Sequence, residues 1–320
     1  MTRQVKIASV QLPAVPGGVT NMEKKESNFL AAERMLSQAG EMGADIACVG
    51  EIFNVHGCQI TQENFAELTS GDPEMVLSHL GEIARKYSMY IIAPVYGVID
   101  GVRRNSAMLM GRDGRLIGQY FKVHCIEDER ALGVVPGDDW NTFKLDFGTI
   151  GIMICHDNSF PESARCLTMN GAETVFWPHV MGGWGDWFMD ILLRAPSIHN
   201  GIHFVPVCFG YEPEEAWQTG VMLIGRSSII GPDGLTIADA GRYKGIAFAD
   251  IDLDHPRIAH MWTRSGEYVF HADVFIDRRP DTYGCLLRPK PPVQPLRGAD
   301  IAHYKEIVDQ IQDFIDGQEA

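Results

Sequence analysis

The sequence predicts an α/β fold in one long domain, on three observations. Apolar, strand-like runs alternate with helix-like segments in both halves of the chain. Two Gly-Xaa-Asp-Gly turns mark hairpins, and nothing before residue 287 has the composition of a linker.

In order, Val5 to Gln11 reads as a first strand, Met22 to Gln38 as a helix, and Asp45 to Gly50 as a second strand ending at Glu51. A helix follows over Pro73 to Tyr87, then strands over Met89 to Val95, Ser106 to Met110 and Arg115 to Tyr120. The last two are joined by Gly111-Arg112-Asp113-Gly114, which has hairpin turn chemistry. The second half repeats the alternation: strand 149–154, helix 161–170, strand 173–177, helix 185–199, strand 202–208 and a hairpin around Gly231-Pro232-Asp233-Gly234. A domain over residues 1–287 is expected. Beyond it, Arg288-Pro289-Lys290-Pro291-Pro292-Val293-Gln294-Pro295 reads as a stiff extended spacer, and Asp300 to Ile315 as a helix. In that helix Ile301, Tyr304, Ile307, Val308, Ile311 and Phe314 recur at spacings of three and four, giving one apolar face. The face packs either on the chain's own body or on a second subunit; the sequence favours neither.

A chain of 320 residues, 45% hydrophobic and 22% charged, has an ordinary globular composition. A formal charge of −15 disfavours nucleic acid and anionic membranes as partners, since both reward basic patches. The cysteines, at 48, 58, 125, 155, 166, 208 and 285, form an odd set without a CxxC pair or a zinc-site spacing, so reduced thiols in the cytoplasm are expected. Met1 to Ile7 runs straight into a strand without the apolar stretch of a signal peptide, and no segment approaches the roughly 20 apolar residues of a membrane span.

Cys155 carries the chemical signal. It ends the apolar run Thr149-Ile150-Gly151-Ile152-Met153-Ile154, at the strand end where open α/β sheets put their ligands. Pro161 near a helix start and Gly171 as its stop complete a strand, turn and helix like the elbow that mounts many nucleophiles. Taken alone, a thiol is more often an inert core residue. A thiol nucleophile needs a proton acceptor, and the carbonyl it attacks needs a donor for the oxyanion. Glu51 closes Ile46-Ala47-Cys48-Val49-Gly50, where desolvation raises a carboxylate toward a useful base, and Lys122 follows a hairpin strand. Strand-end glutamates and post-hairpin lysines are usually just solvated. His156 and Asp157 suggest a Cys-His-Asp set, but adjacent residues point apart and cannot relay a proton.

With their surroundings, Glu51, Lys122 and Cys155 resemble the Glu-Lys-Cys triad of the nitrilase superfamily of carbon-nitrogen hydrolases. The resemblance runs in order through Ala44-Asp45 to Glu51, Asn105-Ser106-Ala107, Tyr120-Phe121-Lys122-Val123-His124, Pro136-Gly137 and Gly151 to Asp157. It continues through Phe160 to Arg165, Gly171-Ala172-Glu173, Gly225-Arg226-Ser227, Pro232-Asp233-Gly234 and Arg278-Arg279-Pro280-Asp281, covering residues 4 to about 283. It implies a four-layer α-β-β-α sandwich, a homodimer or larger homo-oligomer, a small-molecule amide-type substrate, and no metal or organic cofactor. By the same resemblance Glu51 takes the Cys155 proton, and Lys122 with the His156 backbone N–H holds the oxyanion. A thioester forms, and water hydrolyses it. An auxiliary glutamate matches Glu129, seven before Pro136, with Glu127 as the alternative.

The resemblance also bears on substrate. Relatives that cleave N-carbamoyl amino acids place arginine soon after the cysteine, where this chain has Asn158 and Ser159; ω-amidase relatives have arginine at the Ser159 position. Arg165 and Arg194 read as structural and do not replace it. Nitrilases follow the cysteine with Trp-Glu, whereas His156-Asp157 is the amidase-like pattern. An amidase or carbamoyl-amide hydrolase acting on a small neutral or cationic substrate is expected. The rivals are nitrile hydrolysis, an N-carbamoyl amino acid substrate, acyl transfer on the same triad, and a non-catalytic interaction subunit. Trp177, His179, Trp184 and Trp187 are candidates for the pocket wall, although aromatics so spaced are more often core or interface. His199 and His203 read as structural; His199 stands before Asn200, where many members have Glu-Asn.

Overall fold

A computed structural model describes residues 2–181, 186–211, 225–254, 258–262, 268–274 and 276–287. The elements run β1 Gln4–Pro13, α1 Asn21–Glu41, β2 Ile46–Val49, α2 Phe65–Leu68, α3 Asp72–Tyr87, β3 Tyr90–Ile99, β4 Val102–Met110, β5 Leu116–Phe121 and α4 Glu127–Ala131. They continue with β6 Thr142–Lys144, β7 Thr149–Ile152, α5 Pro161–Met169, β8 Thr174–Pro178, α6 Asp186–Asn200, β9 His203–Val207, β10 Phe209–Gly210, β11 Ser228–Ile230, β12 Thr236–Asp239 and β13 Gly245–Asp252. A hairpin of β14 Ile258–Trp262 and β15 Tyr268–Asp273 follows. The chain divides into two compact units, residues 1–276 and 277–320. In the second, Arg279 pairs with Asp281 at 2.7 Å. The expected spacer and terminal helix, 288–320, lie outside the described residues.

Two sheets carry the first unit. One has the order β10-β1-β2-β3-β4-β5, with β13 also paired to β1; the other has the order β12-β11-β9-β8-β7-β6. The parallel trios β1-β2-β3 and β7-β8-β9 put their C-terminal ends, and so Glu51 and Cys155, at a sheet rim.

Strand alternation divides the core into layers. Ile7, Ile46, Cys48 and Ile92 from one sheet meet Ile150, Ile152, Phe176 and Val205 from the other, forming the buried space between the sheets. The intervening residues Ala8, Val10, Ala47, Val49, Ile91 and Ala93 face the opposite way, onto Phe29 and Leu36 of α1 and Val76 and Leu80 of α3. Ala164 and Leu167 of α5 with Leu193 of α6 cover the outer face of the second sheet beside Val175, Trp177 and Phe204. The result is an α-β-β-α sandwich. Each wholly buried Leu or Ile in these layers contributes about 1.5–3 kcal/mol relative to exposure. A capping box fixes the start of α1, where Thr20 Oγ1 accepts from Glu23 N and Glu23 Oε2 accepts from Thr20 N.

The structure adds elements beyond the sequence reading. β13 pairs antiparallel with β1 from Gln4↔Asp252 to Gln11↔Gly245. β4 begins earlier than expected because it pairs with β3 across Asp100-Gly101, both at positive φ (52° and 77°), the backbone of a two-residue hairpin turn.

Candidate active site

Two left-handed residues bring the site together. Cys155 follows β7 at φ 46° and opens a 3₁₀ turn that runs to Ser159 before α5; Ile52, directly after Glu51, has φ 47° and precedes a 3₁₀ turn over Phe53–Val55. Left-handed backbone at a non-glycine residue costs on the order of 1–3 kcal/mol and persists only where the surroundings over-determine it. Each turn stops a strand abruptly and leaves the side chain at the rim of the sheet.

Asp157 restrains the cysteine turn. Its Oδ2 accepts from Ile154 N–H at 2.8 Å and Tyr120 OH at 2.7 Å, while its Oδ1 accepts from His124 N–H at 2.8 Å and lies 3.0 Å from His124 Nδ1. From behind, the Trp177 indole N–H donates to the Cys155 carbonyl oxygen at 2.8 Å. Asp157 therefore ties the end of β7 to the segment that follows β5, where Lys122 lies.

Lys122, Glu51 and Glu129 form a buried charge cluster, each no more than 3% exposed at the side chain. Lys122 Nζ stands 2.9 Å from Glu51 Oε1 and 2.9 Å from Glu129 Oε2. Asn105 Nδ2 donates to Glu51 Oε1 at 2.8 Å and to Glu129 Oε1 at 2.7 Å. Ile126 N–H donates to Glu129 Oε2 at 2.8 Å, which places Glu129 in the first turn of α4, and Tyr96 OH makes a longer bond to Glu129 Oε1 at 3.4 Å. Gly137 N–H donates to the Lys122 carbonyl, and a Cβ on Gly137 would meet Phe121 O at 2.3 Å, so the chain passes there only as glycine.

Two carboxylates and one ammonium out of water are an expensive arrangement, of the kind found where chemistry requires it. Burial pushes the Glu51 carboxyl above the ordinary carboxylate range; the Lys122 charge opposes this and the Glu129 charge adds to it. Burial draws Lys122 down, but the charges of Glu51, Cys155 and Glu129 outweigh it and the net shift is upward, so the ammonium keeps its proton. The Cys155 thiol is raised by burial and by the Glu51 charge, and is lowered by Lys122 and by the Val180 backbone N–H. Such a group of residues can pass a proton from thiol to carboxylate and hold a cation against a developing negative oxygen.

The structure brings Glu51, Lys122, Cys155 and Glu129 together. Glu127 is exposed and takes no part. Trp177 and His179, candidates for the pocket wall, are both 0% exposed and stack on each other at 4.0 Å, in the core behind Cys155. Burial lowers the His179 imidazole to about 3, so it is neutral. Trp184 and the side chain of Trp187 lie outside the described residues. Asn158 turns inward to donate to Leu192 O at 2.9 Å, and Ser159 Oγ lies 3.1 Å from His156 Nδ1. Arg165 bonds the His199 carbonyl and Arg194 the Gly234 carbonyl, each at 2.6 Å. His199 is exposed and His203 is buried in β9. Asn105, Tyr96, Tyr120 and His124 complete the surroundings of the cluster and were not identified from their own residue types. A groove of about 1470 Å³ between α1 and α3 is lined by none of the four clustered residues. Among the described residues no helix is long and apolar enough to cross a membrane, and no group of His, Cys, Asp and Glu is placed to hold a metal ion.

Known proteins agree with this architecture. The profile of the Carbon-nitrogen hydrolase family matches residues 6–257. An N-carbamoylputrescine amidase of Solanum tuberosum is 29% identical over 281 residues, covering 82% of this chain and 90% of that protein. The omega-amidase NIT2 of Homo sapiens is 27% identical over 277 residues, covering 82% and 94%. Among solved structures, a cysteine-to-alanine variant of the Nesterenkonia AN1 amidase from the nitrilase superfamily superposes with a TM-score of 0.71 at 22% identity, over 88% of this chain and 97% of that one. The family match runs from within β1 to beyond β13 and so spans both sheets and the whole cluster: the chain belongs to the carbon-nitrogen hydrolase family.

Proposed function

We propose that this carbon-nitrogen hydrolase cleaves a small neutral or cationic amide, or an N-carbamoyl amine, through a thioester on Cys155. The observation that carries the reading is the Lys122 ammonium, held at 2.9 Å by both Glu51 and Glu129 beside a buried thiol. Glu51 takes the thiol proton, and the thiolate attacks the carbonyl carbon. The negative charge gathers on the carbonyl oxygen, which faces the Lys122 ammonium and the His156 backbone N–H. The C–N bond breaks as Glu51 returns its proton to the departing nitrogen, leaving ammonia or an amine and an acyl-thioester. Glu51 then takes a proton from water, whose oxygen attacks the thioester, and hands that proton back to sulfur. Glu129 and Asn105 keep Lys122 and Glu51 aligned throughout.

Substrate charge follows from what surrounds the turn. A carboxylate-bearing substrate calls for a guanidinium fork, and the positions where the resemblance would put it hold Asn158 and Ser159, each engaged elsewhere. Arg165 and Arg194 bond main-chain carbonyls. The Solanum tuberosum relative, by name, acts on N-carbamoylputrescine, and a Nesterenkonia amidase structure shows acrylamide added at its active-site cysteine. The first is a carbamoyl amine; the second, a Michael adduct at the alkene of acrylamide in a variant of that amidase, shows a reactive thiol there. The reading includes a homo-oligomer acting in the cytoplasm.

The test is ammonia release from a panel of aliphatic amides, carbamoyl amines, carbamoyl amino acids and nitriles, run beside Cys155→Ala with intact-mass detection of thioester. Release from neutral or cationic amides that is lost in the variant supports the reading. Release that survives Cys155→Ala, or a preference for carboxylate-bearing analogues, contradicts it. Product analysis with added amine separates hydrolysis from acyl transfer.

A further inference from the structure

The turn after Glu51 is held by a second buried polar network, set among the apolar layers under α1 and α3. Lys25 of α1 and Asp72 at the start of α3 form an ion pair, with side chains 6% and 0% exposed, and Lys25 Nζ also donates to Leu68 O at 2.7 Å. Asp72 Oδ2 accepts from Asn54 Nδ2 at 2.6 Å. The Asn54 amide then grips both main-chain groups of Tyr96 in β3: Nδ2 donates to Tyr96 O at 2.9 Å, and Oδ1 accepts from Tyr96 N–H at 3.1 Å. Only one amide orientation satisfies all three bonds, because a flipped amide would set its NH₂ against an N–H and its oxygen against a carbonyl and a carboxylate. Asn54 is 0% exposed.

A buried ion pair that anchored helices alone would be a poor investment, since well-packed apolar residues of similar volume do as well or better. Its position suggests another use. Asn54 stands three residues after Glu51 and two after Ile52, whose φ of 47° is strained for a β-branched residue. The turn 51–55 has the 3₁₀ bond from Val55 N–H to Ile52 O, and a left-handed β-branched residue calls for restraint from its surroundings as well. Asn54 supplies that restraint by acting as a strand neighbour to Tyr96. The same Tyr96 extends its hydroxyl to Glu129 at 3.4 Å. One amide therefore braces the backbone behind Glu51 and the residue that touches Glu129.

We infer that Asn54, anchored by the Asp72–Lys25 pair, is a positioning residue that holds Glu51 in line with the Cys155 thiol. The inference rests on Glu51 being the base in the proposed function. Displacing a reacting group by about an ångström costs on the order of a hundredfold in rate, so a relaxed turn is felt at the thiol before it is felt in the fold.

The readout is alkylation of Cys155 by iodoacetamide across pH, followed by the mass of the Cys155 peptide because the chain has seven cysteines. It needs no knowledge of the natural substrate. Glu51→Gln is expected to slow the reaction and move its half-maximal rate to higher pH. Asn54→Ala is expected to do the same, with a slowing of about tenfold to a hundredfold, while its circular dichroism stays native. Wild-type alkylation in Glu51→Gln overturns the base assignment and the inference with it. Slowed Glu51→Gln beside a folded Asn54→Ala of wild-type rate and profile overturns the inference alone. If Asn54→Ala does not fold, two double variants decide: K25M/D72N keeps an acceptor for Asn54, and K25M/D72A removes it, with the charge pair gone from both. The inference requires the second to alkylate several-fold more slowly; equal rates overturn it.

Discussion

Trp177 Nε1–H donates to the carbonyl oxygen of Cys155 at 2.8 Å, so the most buried indole of the second sheet is bonded to the main chain of the residue at φ 46°. Trp177→Phe keeps a ring in the core and removes that donor, leaving a buried carbonyl without its partner. The expected cost is about 1–3 kcal/mol of stability, together with slower reaction at Cys155, because the turn is freer to relax. Denaturant midpoints and iodoacetamide alkylation check both halves. A variant as stable and as reactive as the parent would show that the elbow holds without this bond.

Glu51→Gln should gain stability relative to wild type as pH rises. Burial raises the Glu51 carboxyl above its ordinary value, so between about 4.3, the unfolded value, and its folded value the native state keeps a proton that the unfolded chain has released. The unfolded state binds fewer protons there, and wild-type stability falls with increasing pH. Glutamine has no such dependence. The loss of a Lys122 partner sets a constant offset, whereas the slope of the difference comes from Glu51. Urea midpoints from pH 5 to 8 measure it, and a flat or falling difference would contradict the sign.

Glu129→Gln should move the acid limb of the Cys155 reaction to lower pH. The Glu129 charge is one of the influences that raise Glu51, and removing it favours the ionised base at a given pH. The maximal rate should fall as well, because Lys122 loses a partner at 2.9 Å. An acid limb that stays in place or moves upward would show that Glu129 does not act on Glu51.

The residues most legible in the sequence are those whose signal is local. Cys155 and Glu51 each end an apolar run, and the Gly111–Gly114 turn announces the hairpin of β4 and β5. Asp100-Gly101 carries an equally local hairpin signal and places β3 beside β4; it could have been read in the same way. The supports of the site are different. Asn105 reaches Glu51 across 54 residues and Tyr96 reaches Asn54 across 42, and no periodicity encodes such a contact. Glu129 sits in a helix of five residues, too short to show a helical repeat that would separate it from Glu127. Trp177 belongs to a strand buried along its whole length, so its sequence has no apolar-polar alternation to say which face it takes.

Asp157→Asn should be among the most damaging isosteric changes outside the charge cluster. The carboxylate, 0% exposed, faces Ile154 N–H, Tyr120 OH, His124 N–H and His124 Nδ1 at 2.7–3.0 Å. An asparagine keeps one acceptor oxygen and turns an NH₂ toward a backbone N–H whichever way it lies: Ile154 on one side or His124 on the other. Hydrogen bonds to a charged acceptor contribute about 1.5–3 kcal/mol each, and here an NH₂ is also set against an N–H, so the loss should exceed the about 1.5–3 kcal/mol expected for the one carboxylate bond that Tyr120→Phe removes. Cys155 alkylation should slow alongside, since Ile154 N–H is the restraint next to the left-handed residue. A destabilised Asp157→Asn that still alkylates at the wild-type rate would assign Asp157 to joining the two sheets and leave the elbow to Trp177.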